Sequence, residues 1–533
     1  MEIMEASLKG PMLLAIVLGL LGGCQYRVPR DAGGLTIALA ADPSSLNPIT
    51  SNDAATGEVL SYVMETLADR DPATLAWRPK LAERWEVSPD HQTFTYHLRD
   101  GVRWHDGAPF TADDVLYSYE RIMDPAVDAA VLRGYYKEIL HVEKVDEATV
   151  RFTYRQPYFM AFEFTAGIPI VPKHAFDDGT DFNTHPAGRH PLGTGPYRFV
   201  EWVTSRRIVL ERNPSYWRAA PAIDGVVFRI VPERTVSFQA LKKGEIDFAT
   251  LFPVQWARQT NNPRFLDRFT KHRYYLPTEM YLGWNIRRPY FSDRRVRQAL
   301  TMLIDRERML ARTEFGEGRL ISGPAYPDHP SYDRSIASWP YDPASAARLL
   351  DDAGWTDSDG DGWRDKDGIP FRFRFLYRAG SSRGDLLANV LREDLQKVGI
   401  GVDAQRLEWT TYVKTINDRA FDAMFGGWVG PVEMDQYQLW HSSQAAKGSN
   451  HVGFADPEAD RLLEAARREF EPEKRAALYR QLHRILHEEQ PYTFLLNPPE
   501  LVAADRRFTN VRAYTLGFES LEWGVNRAVE LWQ

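Results

Sequence analysis

From residue 35 onward, short β-type runs alternate with helical ones along almost the whole chain, with no clear repeat and no low-complexity stretch. This alternation is the strongest constraint on the fold. It requires a mixed α/β molecule, and the long insertions between many strands argue against a single regular barrel. Residues 35–40 (LTIALA) read as a buried strand, and 93–99 (TFTYHLR) as a half-buried strand closed by the turn Asp100-Gly101. Thr111, followed by Asp113 and Asp114, reads as a helix start, with a capping hydroxyl and two acids where the helix dipole favours them. Further helices are expected over 292–313, 343–353, 385–398 and 472–489. A chain of 533 residues has room for three or four domain-sized units.

Composition removes several function classes. Hydrophobic residues make up 44% and charged residues 26%, as in ordinary globular proteins and unlike disordered or fibrous ones. The formal net charge of -8 leaves no basic excess for a nucleic-acid backbone, so no nucleic-acid partner is expected. A single cysteine, Cys24, excludes internal disulfides, thiolate zinc clusters and redox pairs. The 15 Trp, 24 Tyr and 27 Phe supply core, and also suit the walls of a roomy binding cleft.

The N-terminus reads as an address. Residues 11–23 (PMLLAIVLGLLGG) form a thirteen-residue apolar run, too short for a permanent membrane span and suited to a secretory signal. It ends Leu21-Gly22-Gly23-Cys24 before polar residues, which resembles the lipobox of bacterial lipoproteins. That resemblance implies a signal peptide over 1–23, lipid on Cys24, a tether over 24–34 and an extracytoplasmic, membrane-anchored protein. The alternative is a buried apolar helix with an incidental cysteine.

Six blocks, in order, carry a second resemblance. The first spans 81–119 and includes RDGVRWHDGAPFTADDV; the second, 193–217, opens GTGPYRFVEW; the third, 223–248, reads IDGVVFRIVPERTVSFQALKKGEIDF. The fourth, 281–305, reads YLGWNIRRPYFSDRRVRQALTMLID; the fifth, 341–355, reads YDPASAARLLDDAGW; the sixth joins DLQKVGIGV at 394–402 to FDAMFGGW at 421–428. Together they resemble the large solute-binding proteins of peptide-type ABC importers, the oligopeptide, dipeptide and nickel binders.

The resemblance implies a two-lobed α/β fold of the periplasmic binding protein type, with a ligand cleft between the lobes and an extra small domain on the first lobe. On this reading 33–64, 190–285 and 500–533 form lobe 1, 65–189 the extra domain and 286–499 lobe 2. It implies no catalysis, a monomer, capture of a peptide or similar small solute, and delivery to an ABC permease in the cytoplasmic membrane. A metal chelate or a sugar is the alternative ligand within the same fold. An anchored sensor is the alternative role.

It also implies site residues. Peptide-binding relatives meet the ligand's amino terminus with an aspartate three residues after a Gly-Trp pair. Here the pair is Gly427-Trp428 and the third residue on is Pro431, so Glu433 and Asp435 are the candidate replacements. Trp428 is expected in the cleft wall, with lobe core as the alternative. Tyr437 could line the cleft or simply pack. On the first lobe Asn52 and Asp53 are expected to reach the cleft. Asn285 is expected at the crossover between lobes, as hinge or ligand contact.

Other motifs compete with this reading. Residues 380–384 (GSSRG) match G-x-S-x-G between a strand and a helix, the context of a nucleophile elbow, which makes Ser382 the enzyme candidate. Asp357, Asp359 and Asp361 with Gly362 form D-x-D-x-D-G, which suits calcium, but position twelve is Gly368 rather than glutamate. A solvated acidic turn is the default there, and no other cofactor is expected. His483 and His487 share a helix face without the H-E-x-x-H pattern and read as surface histidines; His105 and Asp106 read as a local turn network.

Overall fold

A computed structural model describes residues 33–51 and 53–527. Three sheets organise them. The largest has seven strands in the order Phe269–Tyr274, Glu500–Asp505, Phe248–Thr250, Leu35–Leu39, Gly225–Ile230, Arg207–Arg212, Tyr197–Val203. Leu35–Leu39 sits inside it, parallel to both neighbours. Leu35, Ile37 and Leu39 are buried and the residues between them only partly so, the period of two that the sequence shows.

The second sheet has six strands, ordered Arg319–Leu320, Tyr492–Asn497, Thr278–Trp284, Ala423–Val429, Arg372–Arg378, Gly401–Leu407. Helices cover both of its faces. Leu300, Leu350 and Leu391 belong to one apolar core, and Tyr412, Leu463 and Leu482 to another. Tyr492–Asn497 accordingly is buried at all six positions, as a strand covered on both sides must be. The third sheet is an antiparallel four-stranded one, Ala82–Val87, Thr93–Leu98, Thr149–Tyr154, Ile139–Asp146, which shares a core with the helix Ala112–Met123. Among the described residues no helix is long and apolar enough to cross a membrane.

The chain passes between the two large sheets twice. It crosses at 275–277, between Phe269–Tyr274 and Thr278–Trp284, and returns at 498–499, between Tyr492–Asn497 and Glu500–Asp505. Three of these five residues are prolines, whose φ is fixed. Asn497 ties the crossings together: its side-chain amide donates to the carbonyls of Leu276 (2.9 Å) and Thr278 (2.7 Å). The boundary expected after residue 285 is therefore corrected. Thr278–Trp284 pairs with Ala423–Val429 and Tyr492–Asn497 and packs Leu282 and Trp284 into the second sheet's core. The sequence hides this crossing, because Tyr274, Tyr275 and Leu276 carry no linker composition.

One expected helix is also corrected. Residues 292–313 form two helices, Arg294–Met302 and Arg306–Thr313. Asp305 restarts the second by accepting the Arg308 N–H at 2.9 Å.

Candidate ligand cleft

Trp428 stands near the end of Ala423–Val429, opposite Glu279 of Thr278–Trp284. Two glycines precede it for a physical reason. A Cβ on Gly426 would lie 2.9 Å from the Tyr281 ring, so only glycine lets that ring lie across the strand. Tyr281 stacks on Tyr492 at 3.7 Å and lies nearly parallel to Trp428 at 6.3 Å; His451 also lies nearly parallel to Trp428, at 5.9 Å. Burial, then Arg419 and Arg287, pushes the His451 imidazole down to about 4, so it is a neutral ring at pH 7. Trp428 is thus held rigidly and only partly covered, as a cleft wall requires.

Beside it lies a cavity lined by Thr278, Glu279, Tyr326, His329, Trp428 and Pro431, among others, with about 30 Å³ open to the centre of a water-sized group. Among the described residues its one lining carboxylate is Glu279, which is 3% exposed. Oε2 accepts the Ala325 N–H at 3.0 Å, and Oε1 is buried with no hydrogen-bond partner. Ala325 has φ +73°, a conformation few residues with a side chain adopt. Burial pushes the Glu279 carboxyl up to about 8, against the pull of the Ala325 hydrogen bond. Sequence reading missed Glu279. The signal was there, an acid inside the otherwise apolar strand TEMYLGW, but the aspartate of the relatives drew attention to the loop after Trp428 instead.

Those loop residues are engaged elsewhere. Asp435 Oδ2 accepts the Tyr158 hydroxyl (3.0 Å) and the Arg467 Nε (2.8 Å), while Oδ1 accepts the Tyr437 N–H (3.1 Å). The Arg467 guanidinium lies over both Tyr158 and Tyr437. Glu433 pairs with Arg475 at 3.2 Å, and Arg475 lies over Phe159. The Phe159 N–H donates to the Arg467 carbonyl at 3.1 Å, and His91 stacks on Phe470 at 3.9 Å. Tyr158, Phe159 and His91 belong to the four-stranded unit, so Glu433, Asp435 and Tyr437 form a seam that fastens it to the second lobe. Neither carboxylate is free.

Asp53 caps the helix Ala54–Val63; its carboxylate takes the Thr56 N–H (2.8 Å) and the hydroxyls of Ser44, Ser51 and Thr56. Burial opposes its charge, yet those bonds, led by the Thr56 N–H, hold it far below the usual carboxylate range. Asn285 is corrected as a crossover residue: it is 1% exposed and its amide donates to the Phe421 carbonyl at 2.8 Å. Asn52 and Cys24 lie outside the described residues.

Asp357, Asp359 and Asp361 do converge, with carboxylate oxygens within 4.8 Å of one another on an exposed loop. Asp357 there accepts the N–H groups of Gly360 and Gly362. Ser382 is an exposed first-turn residue of the helix Ser382–Gln396, capped by Ser381, and among the described residues its hydroxyl has no histidine or carboxylate partner. That is not a nucleophile elbow. His483 is fully buried rather than on the surface, and His105 bonds across to Gly193 and Gly195 of the first lobe.

Comparison with known proteins follows the same lines. Residues 76–450 match the family described as bacterial extracellular solute-binding proteins, family 5 middle. The oligopeptide-binding protein AppA of Bacillus subtilis is 31% identical over 488 residues, 88% of this chain and 87% of its own. Di/tripeptide-binding protein 2 of Pseudomonas aeruginosa is 28% identical over 519 residues, 90% of this chain and 92% of its own. The solved structure of Bacillus subtilis AppA in complex with a nonapeptide superimposes with a TM-score of 0.78 at 28% identity, covering 92% of this chain and 99% of that one.

Proposed function

The chain belongs to the bacterial extracellular solute-binding proteins of family 5, and from that membership we propose that it captures peptides outside the cytoplasmic membrane and hands them to a cognate ABC permease. The likeness over 92% of the chain to a protein solved with a nonapeptide carries this reading. The rigid aromatic wall at Trp428 agrees with it, because a flat apolar surface beside strand edges accepts many side chains. Lipid on Cys24 tethers the protein, and it works as a monomer without catalysis. Its working motion is closure of the two lobes about 275–277 and 498–499, with the seam at Asp435 fastening the closed form.

Native mass spectrometry tests the ligand class. The mature chain without its lipid, purified gently from a bacterial host, should carry a ladder of short peptides that denaturation releases. A single non-peptide compound in their place would leave the fold standing and overturn the proposed cargo.

A further inference from the structure

The cavity beside Trp428 contains a feature that the fold alone does not require. Glu279 is buried, one of its oxygens has no hydrogen-bond partner, and among the described residues no cation pairs with it. A buried carboxylate oxygen left unpaired costs about 1–3 kcal/mol. The cavity is sized for a small head group, since about 10–15 Å³ suffices for one water and about 30 Å³ is open here. Its other walls, Tyr326, Trp428, Pro431 and Met434 among them, offer no second charge. An ammonium group fits this arrangement: it has three donors and no acceptor, and it is water-sized. A planar guanidinium needs more room.

We propose that Glu279 receives the primary ammonium group of the ligand, giving up a proton as it does so. This assignment rests on the peptide reading above and names the residue that reads a free amino end. The balance is direct: the carboxylic acid of Glu279 and an ammonium ion become a carboxylate–ammonium pair plus one proton released to solvent. The raised carboxyl pKa supports the protonated starting state at pH 6.5. The titratable groups around it do not supply the proton. Burial lowers His329, with Glu433 opposing and Arg475 and Arg70 adding to the shift, and burial raises Tyr281, Tyr326, Tyr479 and Tyr492, which stay protonated.

A casein digest of short peptides, untreated or exhaustively acetylated on its amines, provides the probe. After incubation and desalting, bound peptides are counted by mass spectrometry. The wild type should retain peptides from the untreated pool at least about tenfold better than from the acetylated one, the size of one lost charged hydrogen bond. Glu279→Gln, which keeps an acceptor for the Ala325 N–H, should lose that preference. Calorimetry of the wild type at pH 6.5, with a retained peptide in two buffers of different ionisation enthalpy, should show close to one proton released per peptide. Equal retention of both pools by the wild type, release of no proton, or an unchanged preference in Glu279→Gln would each overturn the assignment while leaving peptide capture intact. If neither pool is retained, the peptide reading falls and takes this assignment with it. Should Glu279→Gln fail to fold, the two wild-type measurements decide alone.

Discussion

Residue by residue, the informative positions are polar groups in places that ought to be apolar. His483 is one. Its Nδ1 accepts the Asp333 N–H at 3.1 Å, so the other nitrogen carries the hydrogen and donates to the Ser322 hydroxyl at 3.1 Å. Gly323 lies against the ring so closely that a Cβ there would sit 2.1 Å from it. Burial, then the neighbouring His487, pushes the imidazole down to about 4. The unfolded chain has its histidine near 6.5 and takes up the proton first, so between pH 6.5 and 4 stability falls as the pH falls, by up to about 3 kcal/mol at the lower end. Urea midpoints across that window should therefore slope, and His483→Gln should flatten the slope by nearly one proton. An unchanged slope would assign the effect to another group. The spacing of His483 and His487 was plain in the sequence, but burial was not, because the residues that enclose His483 come from 322–333.

Among the elements, the helix Ala112–Met123 was the most legible. Thr111 accepts the Asp113 N–H, and Asp114 returns a bond to the Thr111 N–H at 3.0 Å, a capping box. What the local pattern does not announce is how much else Asp114 holds. It also accepts the Trp104 indole N–H (3.2 Å) and the Lys173 N–H (2.9 Å), and burial raises its carboxyl above the usual value. Thr111→Ala should cost about 1 kcal/mol, the usual value of a cap. Asp114→Ala should cost at least about twice that, since it strands buried donors from three segments. Chemical denaturation of the two variants gives the comparison, and equal costs would mean that Asp114 acts only as a cap. The same limit explains the break in 292–313. An aspartate within a periodic run is an ordinary surface residue or a new N-cap, and only packing distinguishes the two.

At the scale of the molecule, the six ordered blocks carried the two-lobed architecture through the family they resemble. They did not carry what lies between segments far apart in the chain. Tyr158 and Asp435 are 277 residues apart, yet their hydrogen bond helps fasten the small sheet's unit to the second lobe. Removing the carboxylate with Asp435→Ala unpairs Arg467 and frees Tyr158, which should shift the population toward an open form. Apparent peptide affinity should drop about tenfold, the range of a typical coupling free energy, with a larger radius of gyration in solution scattering. Full affinity in a variant of unchanged radius would remove the seam from the closing motion. Thr278 and Asn497 are joined by a hydrogen bond of 2.7 Å, so the chain leaves the first lobe and rejoins it at practically one point. A segment whose ends coincide can be excised or exchanged without rerouting the rest. The second lobe, with Trp428 and Glu279, is in effect a cassette, one that recombination between related genes could replace whole while the receiving half stays as it was.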